Sequence, residues 1–527
     1  MSDSKNHNSK GRIRHGSKKF KDAIELLTKE IETNPDNIDA YLKRGNIYAD
    51  CGELSKAVLD FTEVIEMDEN HFTAFYNRGC MYNGLEEYEK AISDFDDALG
   101  INPDFADAYF KRGYTFSCIE DYTNSLLDLT KAIELNPNHF KAYRYRGLIY
   151  AHFDENEKAI HDYDNSIEIE PNNAIAYNSR GNAYKDIGDH KNAVTNYTNA
   201  IDLNPDFAEA YFNRGNVFSD LNEYSLALKD YSMVIELEPN HSDAYYFRGY
   251  TYSCLQEFYK AISDFSKVIE IDPDKENAYY YRGINNVIIK EFSNAISDFN
   301  KFIEFDQSDW QIYSQRGNVF LHQKEYSAAE KDFDKVIELN PECADAYYCR
   351  GNVFNHTNRC SKAVMDYTKA IEINPDDSDF YFNRGNAYHI LEYYTKAIAD
   401  FSKAIEINPD HDGAYNNRGS VYSKMKEYDK AISDYKKSAE IVPDNAWVYY
   451  NIGFEYIELR EYEKAIFYYD KAIETDPEYA EAYFNRGLAY FIVNDKTSAL
   501  EDMKTAYSLG DLKAKELIEK YGEEEQS

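Results

Sequence analysis

The chain has 527 residues, with 58 Lys+Arg against 95 Asp+Glu and a formal net charge of −37. That excess excludes duplex nucleic acid and anionic membrane as main partners, because both are polyanions, and leaves basic proteins open. The 43% hydrophobic content, with 50 Tyr and 30 Phe, excludes a disordered chain, and no apolar run approaches the roughly 18 residues that cross a bilayer.

The chain opens with MSDSKNHNSKGRIRHGSKKF, which is positively charged but has no apolar core behind it, so no secretory signal is expected. Residues 1–22 read as a basic, partly disordered segment. A glycine returns every 34 residues from Gly45 to Gly487 without an insertion, so fourteen units fill 38–513. All 12 prolines stand 24 residues after a glycine of this register. Residues 23–37 read as the second helix of a degenerate first repeat, since Gly11, Ala23 and Pro35 keep the same register. Fixed-period self-similarity predicts a stacked solenoid.

Each unit predicts two helices. In 208–241, Tyr211, Arg214, Gly215 and Phe218 share one helical face, and Ala227, Asp230, Tyr231 and Val234 share a second. Leu221-Asn222-Glu223 is the turn between them, and Pro239 ends the second helix. A mid-helix glycine costs about 1 kcal/mol relative to Ala, which predicts that another helix approaches it closely. The Ala twelve residues on, replaced once by Ser125, is expected to supply the facing surface. In the unit 276–309, Asn286 replaces an aromatic, Phe302 a small residue and Gln307 the terminal proline, so a packing irregularity or soft joint is expected there. Residues 514–527 read as a capping helix and an acidic tail.

The motif Tyr211, Arg214, Gly215, Phe218, Ala227, Tyr231, Val234, Pro239 resembles the tetratricopeptide repeat family, with Arg in place of the family's usual Leu before the glycine. The resemblance implies an all-α, right-handed superhelical solenoid of antiparallel helix pairs. It also implies first helices lining a concave groove that holds a partner peptide or helix.

The Arg before the glycine recurs in thirteen of the fourteen units, and an Asp stands sixteen residues beyond that Arg position in twelve. Arg214–Asp230, Arg248–Asp264 and Arg384–Asp400 are read as structural ion pairs bridging the two helices of one unit, since a buried guanidinium needs a carboxylate that can receive it bidentately; pairing to the adjacent unit and solvated charges are the alternatives. The unit that has Ile452 in place of Arg has Tyr468 in place of Asp, so it leaves no orphan charge.

Asn is frequent two residues before the glycine (Asn77, Asn213, Asn383, Asn417, Asn451, Asn485) and one after it (Asn46, Asn182, Asn216, Asn318, Asn352, Asn386). If the first helices face inward, these amides line the groove, where donor and acceptor together can grip a peptide backbone whatever its sequence. Tyr and Phe interleave, as at Phe212, Tyr348 and Tyr450. The competing reading is that the amides bond to one another between units.

Seven scattered cysteines without a CxxC, and the absence of HExxH, P-loop, GxSxG and GxGxxG patterns, predict reduced thiols, no metal, no cofactor and no catalytic residue. His71, His139, His241 and His411 read as residues of the turns between units. The expectation is a cytoplasmic, non-catalytic scaffold whose partners are proteins or peptides, basic ones included, with no nucleic acid and no membrane insertion. The alternative is a regulatory or targeting subunit of an enzyme complex.

Overall fold

The structure is a computed structural model that describes residues 13–522. Every regular element among them is an α-helix. The expected disorder before residue 13 and the acidic tail after 522 lie outside the described residues. The chain divides into two compact units, Met1–Asp272 and Pro273–Ser527. Each is an all-α solenoid of seven antiparallel helix pairs, every pair built from one 34-residue repeat. The second unit also carries a closing helix, Lys513–Gly522.

One helix precedes the first pair and spans Ile13–Thr33, crossing the boundary expected at residue 23. Leu27 and Ile31 are buried with Ala40 beneath Tyr41 and Ile47, so this helix covers the first pair as a second helix covers its successor. That apolar stripe anchors the helix at its C-terminal half.

The repeat is set by its two ends and its middle. In 208–241 the first helix is Ala208–Asp220 and the second Tyr224–Leu237. Between them Asn222 adopts φ 60°, and the Glu223 and Asn222 amides donate to Phe218 O at 2.7 Å and Ser219 O at 2.9 Å, the paired bonds of a Schellman stop. The same turn position is left-handed in every repeat, yet only Gly52 and Gly188 supply a glycine there. In four repeats a histidine opens the next first helix: His71, His139, His241 and His411 accept through Nδ1 from the backbone amide three residues on. Asn37 and Asn173 cap in the same way through their side-chain oxygens. The histidines predicted as turn residues are therefore helix caps.

The close approach expected at the glycine comes from a ring. A Cβ on Gly215 would lie 2.9 Å from Tyr231 Cε1, and Gly45, Gly79, Gly147 and Gly385 meet Phe61, Phe95, Tyr163 and Phe401 in the same way. The facing surface is mainly a ring of the second helix, with Leu129 and Met503 in its place at Gly113 and Gly487, and the assigned alanine comes near through its backbone oxygen at Ala91 and Ala499. The alanines are fully buried nearby, and Ser125 keeps its place by donating to Gly113 O at 2.6 Å.

Within each unit first helices of neighbouring repeats approach one another, as Ala174–Asp186 does Ala208–Asp220 and Ala344–His356 does Ser378–Ile390. In repeat 276–309 two of the three anomalous residues, Asn286 and Phe302, are buried, and Gln307 is exposed. The Asn286 amide donates to Asp298 at 3.2 Å in place of the missing ring, and Phe302 lies against Tyr280. The junction of Phe292–Phe305 with Trp310–His322 is the sparsest between consecutive repeats in the second unit.

Candidate binding face and its ion-pair frame

The frame beneath the first helices is a set of forked charge pairs. Arg214 Nε and Nη2 donate to the two oxygens of Asp230 at 2.8 Å each. The same bidentate geometry joins Arg248 to Asp264 and Arg384 to Asp400, at 2.7–2.8 Å. The Asp side chains are 6–9% exposed in these pairs and the guanidinium groups sit between rings, Arg214 over Tyr211 and Phe218.

The within-unit pair and the adjacent-unit contact, set against each other in the sequence, occur together, through a third arm. Nη1 of the same Arg reaches back to the second helix of the preceding repeat: Arg214 to Thr198 at 3.0 Å, Arg248 to Ser232 at 3.1 Å, Arg384 to Thr368 at 3.1 Å. At Arg112, Arg350 and Arg486 the third partner is a second carboxylate, from Asp96, Asp334 and Asp470. Burial works against the Arg112 charge, and Asp128 and Asp96 together outweigh it, raising its pKa above the ordinary value. Each of these arginines thus ties its own pair together and also ties it to the pair before. Arg180 shows the trade: Asn196 gives it only a neutral acceptor at 2.7 Å, and Asp164 of the preceding repeat supplies the charge at 2.5 Å. Where Ile452 replaces Arg, a cation comes from the preceding second helix instead. Lys436 Nζ donates to Tyr456 at 3.0 Å and lies over the rings of Tyr456 and Tyr468.

Most of the asparagines on the first helices are engaged with other side chains. Asn182, Asn216 and Asn352 accept from the hydroxyls of Tyr197, Tyr231 and Tyr367 at 2.7–2.8 Å, bonds within one repeat. Others link neighbouring repeats: Asn77 donates to Asn46 at 3.3 Å and Asn417 to Asn386 at 2.7 Å. Asn213 donates to Asn178 at 3.2 Å, Asn383 to the Tyr348 hydroxyl at 3.0 Å and Asn485 to the Tyr450 hydroxyl at 2.8 Å. Asn46 and Asn318 are exposed, and Nδ2 of Asn451 is buried without a hydrogen-bond partner among the described residues. An amide uses one or two of its bonds this way and keeps the rest, so the row can still take up a backbone. The interleaved aromatics are partly structural. Phe212 rests on Tyr231 and His241, and Tyr348 on Tyr367.

No group of three or more His, Cys, Asp or Glu among the described residues could hold a metal ion. All seven cysteines are free thiols, and no described helix is long and apolar enough to cross a membrane.

Comparison with known proteins places these features. The family description "TPR repeat" matches residues 154–188, 181–222, 351–392 and 385–426. "Tetratricopeptide repeat" matches 38–71, 72–105, 106–139, 208–241, 242–275, 310–343, 410–478 and 468–501. No curated protein matches the sequence. Among solved structures the chain is similar to YrrB, described as a TPR protein with an unusual peptide-binding site, at 27% identity, covering 36% of this chain and 96% of that one with a TM-score of 0.31. It is similar to a tetratricopeptide repeat protein from Parabacteroides merdae at 21% identity, covering 47% and 98% with a TM-score of 0.34. It is also similar to Naa15/Naa10 bound to HypK-THB, at 13% identity, covering 97% and 96% with a TM-score of 0.36. The repeat matches together span well over half of the residues: the chain belongs to the tetratricopeptide repeat family.

Proposed function

We propose that the chain is a non-catalytic interaction scaffold that holds an extended polypeptide along the amide- and tyrosine-bearing face of its first helices. Membership of a family of protein-interaction repeats supports the scaffold role. The observation that carries the finer reading is the row of part-exposed amides chained from repeat to repeat, Asn46 with Asn77 and Asn386 with Asn417. Such a row offers donors and acceptors at the spacing of the stack and reads no side chain, so it suits a backbone of variable sequence. The partner's charge is basic on this reading, to complement a chain of net charge −37.

A photo-crosslinking amino acid placed at Asn318, and separately at the exposed outer position Lys331, tests the reading in living cells. Polypeptide adducts from position 318 and few from 331 are expected. Equal capture at both positions, or capture from 331 alone, would overturn the assignment of the binding face.

A further inference from the structure

The chemistry of the first helices changes at the C-terminal end. One residue past the glycine, where Asn is frequent, the last two repeats carry Phe454 and Leu488, and three further on stand Ile457 and Phe491. With Ile492 and Leu517 they wall a half-open pocket of about 270 Å³. That lies just under the range of about 300–1,000 Å³ for small-molecule sites and suits a side chain better than a free ligand.

One polar group in the wall is out of place. In repeats 174–207, 208–241 and 344–377 the buried Tyr of the second helix donates to the Asn after the glycine. In repeat 446–479 that Asn is Phe454, and the Tyr469 hydroxyl has no hydrogen-bond partner among the described residues although its side chain is fully buried. Tyr469 lines the pocket beside Asn485. A buried donor left unpaired is a standing cost that an incoming acceptor would remove. The two first helices that wall the pocket, Ala446–Glu458 and Ala480–Ile492, carry exposed Glu458 and Glu481 and one cation, Arg486, which is already held by Asp502 and Asp470. On the closing helix Lys515 is paired with Glu519.

We propose that this pocket anchors a bulky apolar side chain of an extended polypeptide, adjacent to a Lys or Arg of that segment, with the Tyr469 hydroxyl donating to one of its backbone carbonyls. The assignment rests on the polypeptide-binding reading and continues the amide row past Asn417, Asn451 and Asn485. It adds what that reading lacks, a residue class that is selected.

The test uses the full-length chain and an array of dodecamers in which Leu or Phe is walked through all positions with Lys, Ser or Glu flanks. Leu and Phe dodecamers with Lys flanks are expected to bind at least tenfold more tightly than those with Glu flanks or with Ser in place of the apolar residue. Phe454→Asp/Ile492→Asp alters two side chains that are 42% and 53% exposed and should fold; it is expected to remove that preference. Tyr469→Phe keeps the ring and is expected to weaken the best peptide three- to tenfold. Asn318→Ala/Asn386→Ala should weaken all dodecamers alike, which separates the amide row from the pocket. Equal binding to the Phe454→Asp/Ile492→Asp variant, a preference for Glu flanks, or no binding by any dodecamer would overturn the proposal. A wild-type chain that dimerises where that variant stays monomeric would assign the pocket to a second copy and overturn it as well.

Discussion

A single atom decides the fate of the repeated glycine. Ala is the better helix former by about 1 kcal/mol, and Gly100, in a helix with nothing within 4 Å of the Cβ position, should show that gain on Gly100→Ala. At Gly215 the same change drives a Cβ against Tyr231, and a loss of about 1–3 kcal/mol is expected from overpacking. Urea denaturation of both variants checks the opposite signs. The Arg–Asp pairs obey a second rule. Asp230→Ala leaves a guanidinium in a largely closed environment without its carboxylate and is expected to cost about 3 kcal/mol. Arg214→Ile/Asp230→Tyr, copying Ile452 and Tyr468, should cost less than Asp230→Ala alone, as read by denaturation of the three proteins. His139 adds a pH dependence. Burial lowers its pKa below the ordinary 6.5, against the opposing pull of Asp107, and its Nδ1 must stay unprotonated to cap Ala142. The folded pKa is the lower one, so the unfolded chain binds the proton first. Stability is then full above pH 6.5 and falls as the pH drops through the folded value. Thermal melting between pH 7.5 and 5 should show this decline, and His139→Asn, whose amide cannot titrate, should flatten it.

The helices and turns were legible because their signals recur in one register. The glycine, the proline and the apolar stripes fall at fixed offsets in unit after unit, and each is a local preference that no tertiary contact overrides. The helix over 13–22 was not legible, since its sequence is basic and gains its reason from an apolar stripe ten residues further on, around Leu27 and Ile31. The joints of the candidate face were also hidden. The third arm of Arg214 and the link from Asn417 to Asn386 connect residues 16 and 31 apart, and their meeting depends on how far one helix pair is displaced along the next. The Tyr231–Asn216 bond could have been suspected, because Tyr and Asn occupy facing positions fifteen residues apart in three repeats. The irregular repeat was readable as an anomaly, and its packing gives the anomaly content. With Phe302 where neighbours hold Ala or Val, the helix Trp310–His322 has a thinner contact with its predecessor. Its amides are expected to exchange with deuterium faster than those of Ser378–Ile390, a difference that hydrogen-exchange mass spectrometry resolves.

For the molecule as a whole, the reaching arm of each arginine sets an order. Were the repeats interchangeable beads, any one could follow any other. Arg180 cannot be moved so freely, because its own second helix offers only Asn196 and the missing charge is lent by Asp164 upstream. Transplanting 174–207 behind a repeat whose second helix offers Thr at this place, such as 106–139 with Thr130, should strand that guanidinium and lower the melting temperature. Placing it behind 310–343, which contributes Asp334, should not. Adjacent modules therefore carry a grammar, in which each word agrees with the one before it, and duplication or loss of a repeat in this lineage is free only where that agreement survives.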